Sequence, residues 1–201
     1  IVSTAAIVLG VAGATTNRGS VILSGLVGMM AGALSMAAGE YVSVSTQRDT
    51  EREVLKVERR ELAESPEEEL AELEGLYRAK GLSAETAQKV AEELTAHDAF
   101  RAHAEAELGL NPDDLTNPWQ AAGASFLAFL VGAAVPLVGV LVSSAAWVTV
   151  IAVAVALVVT GTVSARLGPA PVGRAVLRNV AGGLLAMAIT YLLGKAASGL
   201  V

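Results

Sequence analysis

Residues 21–45 read VILSGLVGMMAGALSMAAGEYVSVS, an almost uncharged run of 25 residues. Its one charged side chain is Glu40. A helix needs roughly 20 apolar residues to cross the hydrocarbon of a bilayer, so the segment has the length and composition of a membrane span. Four more apolar segments surround it, at residues 1–16, 119–142, 145–165 and 175–197. The charges lie almost wholly between the second and third segments. Residues 48–117 hold nineteen of the twenty acids and nine of the fourteen Lys and Arg, a local balance of −10. A soluble domain spreads charge over its whole surface, whereas a chain divided between lipid and water shows such blocks. The positive mean hydropathy of +0.55 agrees. The expected fold is an all-α membrane protein of five transmembrane helices. Spans one and two fall within residues 1–47, an inserted helical module within 48–117, and spans three to five within 118–201. The first apolar stretch opens at Ile1 without an initiator Met, so it reads as a span that began earlier.

Lys and Arg flanking the spans set the orientation. Arg48, Arg52, Lys56, Arg59 and Arg60 follow the second segment, and Arg166, Arg174 and Arg178 cluster around the last connection. Five spans put both regions on one side, which makes residues 48–117 cytoplasmic. The opposite face carries only Arg18 and Lys195.

The module reads as three helices, the first continuing from the second span. Ser65, Pro66 and Glu68 have the pattern of a capping box with Pro at the first helical position. Gly81 ends that helix, Ser83 caps the next, and Gly109 ends it. Leu70, Leu73 and Leu76, then Val90 and Leu94, supply narrow packing stripes.

Several side chains carry chemistry. In the second span Met29, Met36 and Glu40 fall on one side, with Met36 and Glu40 one turn apart. A carboxylate inside a span costs roughly 2.5–3.5 kcal/mol on insertion scales, so it points to function, although Glu40 is near enough to the helix end to reach water. Thioether plus carboxylate suits a borderline divalent metal. Gly25, Gly28, Gly32, Ser35 and Gly39 form a seam of small residues, read equally well as packing within one bundle or between two copies. In the module, Glu58 with Glu61 and Glu69 with Glu72 pair carboxylates three residues apart, the spacing of solvated acid-rich helices and also of cation sites. His103 and Glu107, four apart, add imidazole and carboxylate, which favour first-row divalents. His97 and Asp98 read as surface residues. There is no Cys, which excludes disulfides and thiolate ligands. With two His and no phosphate-cradling glycine loop or nucleophile motif, the chain does not read as an enzyme and needs no catalytic cofactor. Nothing points to nucleic acid.

The residues that carry these features also resemble the vacuolar iron transporter family. The likeness rests on Ile1-Val2-Ser3-Thr4 leading to Gly10-Val11-Ala12-Gly13-Ala14, on the run from Gly32 to Ser45 with Ser35-Met36-x-x-Gly39-Glu40-Tyr41-Val42-Ser43-Val44, and on Glu107-Leu108-Gly109-Leu110. The resemblance implies a homodimer of five-helix protomers that exports Fe(II), Mn(II) or a similar divalent cation from the cytoplasm in exchange for protons. The host would be a cell inner membrane or a vacuolar-type membrane. It assigns Met36 and Glu40 to a transport site in the membrane, and Glu58, Glu61, Glu69, Glu72 and Glu107 to metal binding in the module. A further transport carboxylate is expected two positions before the residue matching Ile1. Plant-like members place two Met where this chain has His103 and Ala104. A second function class fits the same residues: a membrane-anchored metal sensor or buffer that binds without translocating.

Overall fold

In a computed structural model of the chain, which describes residues 1–199, seven α-helices appear: α1 Val2–Ala14, α2 Arg18–Glu64, α3 Pro66–Ala79, α4 Ala84–Ala106, α5 Pro118–Val142, α6 Ala146–Leu167 and α7 Val172–Ala197. Four of them, α2, α5, α6 and α7, are long and apolar enough to cross a membrane, with mean hydropathy of 1.6–2.4 over their most apolar windows. α1 is apolar but has 13 residues, short of a full crossing. Leu127, Val131, Val155, Leu185 and Leu192 are all more than half exposed. Helices that display such residues outward need lipid in place of water around them. The protein is therefore an all-α membrane protein.

The chain forms two compact units, Ile1–Gly39 with the chain from Ala122 onward, and Glu40–Ala121. In the first, α1 packs on α6 and α7 around Ala5, Leu9, Val153, Leu157 and Met187. A smaller cluster joins Val8 to Val21 and Val140. The Arg18 guanidinium donates to the carbonyls of Val140 and Leu141, at 3.3 and 2.6 Å. These belong to the last turn of α5, where unpaired carbonyls favour a cation.

Where small residues matter differs in part from the sequence reading. A Cβ on Gly25 would meet Leu137 and Val8, on Gly28 Ile7, and on Gly32 the Phe129 ring. Those three positions of the α2 seam receive side chains of the same chain. Gly39 faces open space. The closest backbone approach lies instead between α1 and α7: a Cβ on Gly194 would run into the Gly10 carbonyl, and one on Gly13 into that of Tyr191. Backbone cannot yield as a side-chain end does. Gly194→Ala is accordingly expected to destabilise the bundle by about 1–3 kcal/mol, read as a lower melting temperature in detergent. Gly182→Ala, on the same helix but facing open space, should be neutral or slightly stabilising.

In the second unit, α2 runs without a break as far as Glu64, and α3 packs on α4. Pro66 occupies the start of α3 as expected, but the Ser65 side chain makes no capping hydrogen bond. The capping box is absent because Ser65 sits at φ −137°, ψ 54°, outside the extended region that aims a cap side chain at the first-turn amides. Its carbonyl instead accepts from the amides of Glu68 and Glu69. Gly81, at φ +101°, closes α3 as the sequence suggested. Its amide donates to Arg78 and that of Leu82 to Tyr77, which is a Schellman closure. Ser83 Oγ accepts from the Thr86 amide and caps α4. Leu73, Ala91 and Ala102 form the core of this unit, with Leu70, Leu76 and Leu94 around them. On α4 the inward stripe runs through Ala87 and Ala91; Val90 is only half-buried. α4 is also broken at Asp98, whose backbone is extended at φ −161°, ψ 92°. Asp98 Oδ1 accepts from the Arg101 amide and starts the helix afresh, so His103 rides on a short final segment with its own direction.

Candidate metal centre

The lower half of α2 has apolar residues at Leu55 and Leu62, seven apart, and that spacing marks its inward face. Glu51 and Glu58 share this face, and both are buried, at 7% and 3% exposure. Glu69 enters from the first turns of α3, which carries Glu67, Glu68 and Glu69 at its amide-rich end. His103 comes from the final segment of α4. Its sequence neighbours Ala102 and Ala104 are small and buried, and the imidazole is wholly enclosed.

These groups converge. His103 Nδ1 lies 3.0 Å from Glu58 Oε1, 3.5 Å from Glu69 Oε2 and 3.7 Å from Glu107 Oε2. Glu58, Glu69 and His103 each offer a ligand atom within 4.8 Å of the others. A divalent cation about 2.0–2.2 Å from N and O ligands holds them about 3–4 Å from one another. Although 3.0 Å apart, His103 Nδ1 and Glu58 Oε1 are not aligned for a hydrogen bond, and they and His103 Nε2 are buried without a hydrogen-bond partner among the described residues. Such orphaned polar atoms cost roughly 1–3 kcal/mol each, more when charged, and a bound ion would satisfy them.

Electrostatics agree with the geometry. Burial, followed by the Glu107, Glu69 and Glu61 carboxylates, pushes Glu58 up to about 7. Glu69 is also raised, first by burial, with His103 opposing and Glu72, Glu61 and Glu107 adding. This is crowded negative charge that a dication would relieve.

Of the residues singled out from sequence, Glu58, Glu69, His103 and Glu107 come together. Glu61 and Glu72 are exposed at the edge of the cluster, near enough to act on it through their charge. His97 and Asp98 are exposed, as expected. Met36 and Glu40 lie elsewhere on α2 and are exposed, Met36 at 51%. At 100° per residue, Met29, Met36 and Glu40 fall on the same stripe, about 80° wide, as the buried Gly25 and Ala33.

Glu51 was missed by the sequence reading. Its Oε1 accepts from Gln47 Nε2 at 2.8 Å, and its Oε2 accepts from the amide and hydroxyl of Thr116 at 3.2 and 3.1 Å. Burial alone would raise this carboxyl, but the donors from Gln47 and Thr116, aided by Arg48, hold it below the ordinary range. It fastens the segment after α4 to α2. The seven-residue interval to Glu58, shared with Leu55 and Leu62, is the signal that could have found it.

Comparison with known proteins accords with these features. Residues 1–195 match the profile of the VIT family. Over 185 residues the chain is 40% identical to a vacuolar iron transporter of Acanthamoeba castellanii, covering 90% of this chain and 71% of that protein. It is 37% identical over 195 residues to vacuolar iron transporter homolog 5 of Oryza sativa subsp. japonica, covering 95% and 72%. Vacuolar iron transporter homolog 2.1 of Arabidopsis thaliana is 35% identical over 199 residues, covering 97% and 75%. With a match of this extent and relatives of this identity, the chain belongs to the VIT family, whose members are transporters and not enzymes.

Proposed function

We propose that the chain exports Fe(II), Mn(II) or both from the cytoplasm in exchange for protons. The observation that carries this reading is the enclosed grouping of Glu58, Glu69 and His103 with Glu107 beside it. Imidazole and carboxylates without thiolate suit these ions, and the relatives' names speak for iron. On this reading α1 lies in the membrane with the four long helices, and residues 48–117 stand in the cytoplasm. Glu61 and Glu72 draw cations toward the cluster. Met36 and Glu40 pass them through the membrane. Metal ligands must be deprotonated, so metal and proton exclude each other at Glu40, which is the basis of exchange. Two copies associate through the uncovered part of α2, where Leu23, Val27, Met30 and Leu34 form an exposed apolar stripe that one protomer leaves free.

The cluster lies wholly within the Glu40–Ala121 unit, and this favours a second reading, a membrane-anchored sensor or buffer. Reconstituted vesicles containing a metal-responsive dye separate the two. A transporter accumulates Fe(II) or Mn(II) in the lumen; a sensor binds at the surface and the lumen stays dark. Met36→Leu keeps volume and removes sulfur, so a change of severalfold or less is expected, mainly in the ranking of Fe(II), Mn(II), Co(II) and Zn(II).

A further inference from the structure

A second cleft in the Glu40–Ala121 unit has the opposite charge. Leu55, Phe100, Pro112 and Leu115 line a cavity of about 310 Å³, and Arg52, Lys56 and Arg59 stand around it. That volume is at the small end of ligand sites, about 300–1,000 Å³. The three cations fall at i, i+4 and i+7 of α2 and so share one face. Residues 48–117 carry an excess of ten negative charges, yet neither Arg52 nor Arg59 forms an ion pair among the described residues. Lys56 has only Glu53, at 3.4 Å with both side chains exposed, a contact worth little.

The rule that places cations beside a span accounts for their sign but not for a cleft. Here the walls are fixed. The Arg59 guanidinium stacks over Phe100, 4.2 Å from the ring centroid. The segment bearing Pro112 and Leu115 is fastened to α2 by the hydrogen bonds from Thr116 to the buried Glu51. Two guanidiniums offering forked donors, with an ammonium between them, match a phosphate group.

Position selects the source of that phosphate. Tyr41 and Trp119 pack with ring centroids 4.7 Å apart and form the aromatic pair expected at a membrane interface. Arg52 follows Tyr41 by eleven residues of continuous helix, about 16 Å. The headgroup layer is only about 5–8 Å thick on each side. We infer that Arg52, Lys56 and Arg59 form a binding site for a small soluble phosphate-bearing molecule, separate from the metal cluster.

Calorimetry with inorganic pyrophosphate on the metal-free full chain in neutral detergent tests this. Saturable binding is expected, at least tenfold weaker in the Arg52→Gln/Lys56→Gln/Arg59→Gln variant. An Arg78→Gln/Lys80→Gln/Lys89→Gln variant, which loses the same charge from α3, α4 and the turn between them, should bind as the parent does. Thermal melts confirm that both variants fold. Equal weakening by the two triples, or no saturable binding, overturns the site. So does binding confined to phosphatidic acid vesicles with none to pyrophosphate, which would assign the cations to the lipid surface.

Discussion

Replacing Glu40 by Gln is expected to abolish metal uptake driven by a pH gradient while leaving metal binding by the full chain in detergent within about twofold of the parent. Glu40 is the only acid in the five apolar segments. Among residues of this chain, no other carboxylate there can exchange a proton for a metal ion. Gln matches Glu in size and keeps a hydrogen-bonding end, so the change removes charge and little else. The cluster of Glu58, Glu69 and His103 contains no residue near position 40 in the chain, which is why binding should survive. Uptake at the parent's rate and with its pH dependence would make Glu40 an interfacial carboxylate. Exchange of metal for proton would then not run through Glu40.

The second large effect concerns the module and is a reversal. Without metal the protein should be more stable at pH 5.5 than at pH 8. Saturating Mn(II) should invert that order. The sign follows from Glu58, whose folded value of about 7 lies above the ordinary 4.5. Between those values the folded state holds more protons than the unfolded one, so stability falls as pH rises through the window and the loss is complete above about 7. The raised Glu69 acts in the same direction. Glu51 is lowered, so its contribution is present above the ordinary carboxylate value and fades only in stronger acid, below this range. A displacement of that size at Glu58 corresponds to about 3 kcal/mol at most. Metal needs the same carboxylates deprotonated, so its affinity and its stabilisation grow toward pH 8. Glu58→Gln should flatten the metal-free profile and weaken Mn(II) binding by at least about tenfold. A metal-free protein that gains stability steadily from pH 5.5 to 8, with Mn(II) changing nothing, would leave the cluster a structural feature.

Much of this architecture was legible because it depends on patterns that no tertiary contact can overrule. Long apolar runs give the four long helices. Gly81 and Gly109 end helices because each takes a positive φ, at +101° and +64°, that other residues avoid. The break at Asp98 was not legible, because Thr95-Ala96-His97-Asp98-Ala99 contains neither Gly nor Pro and an aspartate can sit in or out of a helix. Spacing and resemblance led to the expectation that Glu58, Glu61, Glu69, Glu72 and Glu107 gather with His103; Glu58, Glu69 and Glu107 do, while Glu61 and Glu72 stay exposed at the edge. The depth of that histidine was not legible, since spacing along one helix says nothing about what two others lay across it. Glu51 escaped for a related reason: a carboxylate among many in an acid-rich helix looks solvated until the apolar interval beside it is counted. The small residues of α2 read equally as packing within one chain or between two copies; Gly25, Gly28 and Gly32 meet side chains of this chain, and Gly39 meets none. Which side chains fill the seam depends on Ile7, Val8, Phe129 and Leu137, distant in sequence.

Recording metal and proton movements together distinguishes exchange from binding. Purified chain is reconstituted into vesicles with an acidic lumen, and Fe(II) or Mn(II) entry and lumenal pH are followed by two dyes in the same sample. Metal accumulation accompanied by lumenal alkalinisation, both collapsing when the gradient is dissipated and both absent in Glu40→Gln, is the predicted result. Metal that binds to the vesicles without entering them, or that enters at a rate indifferent to the gradient, would contradict it.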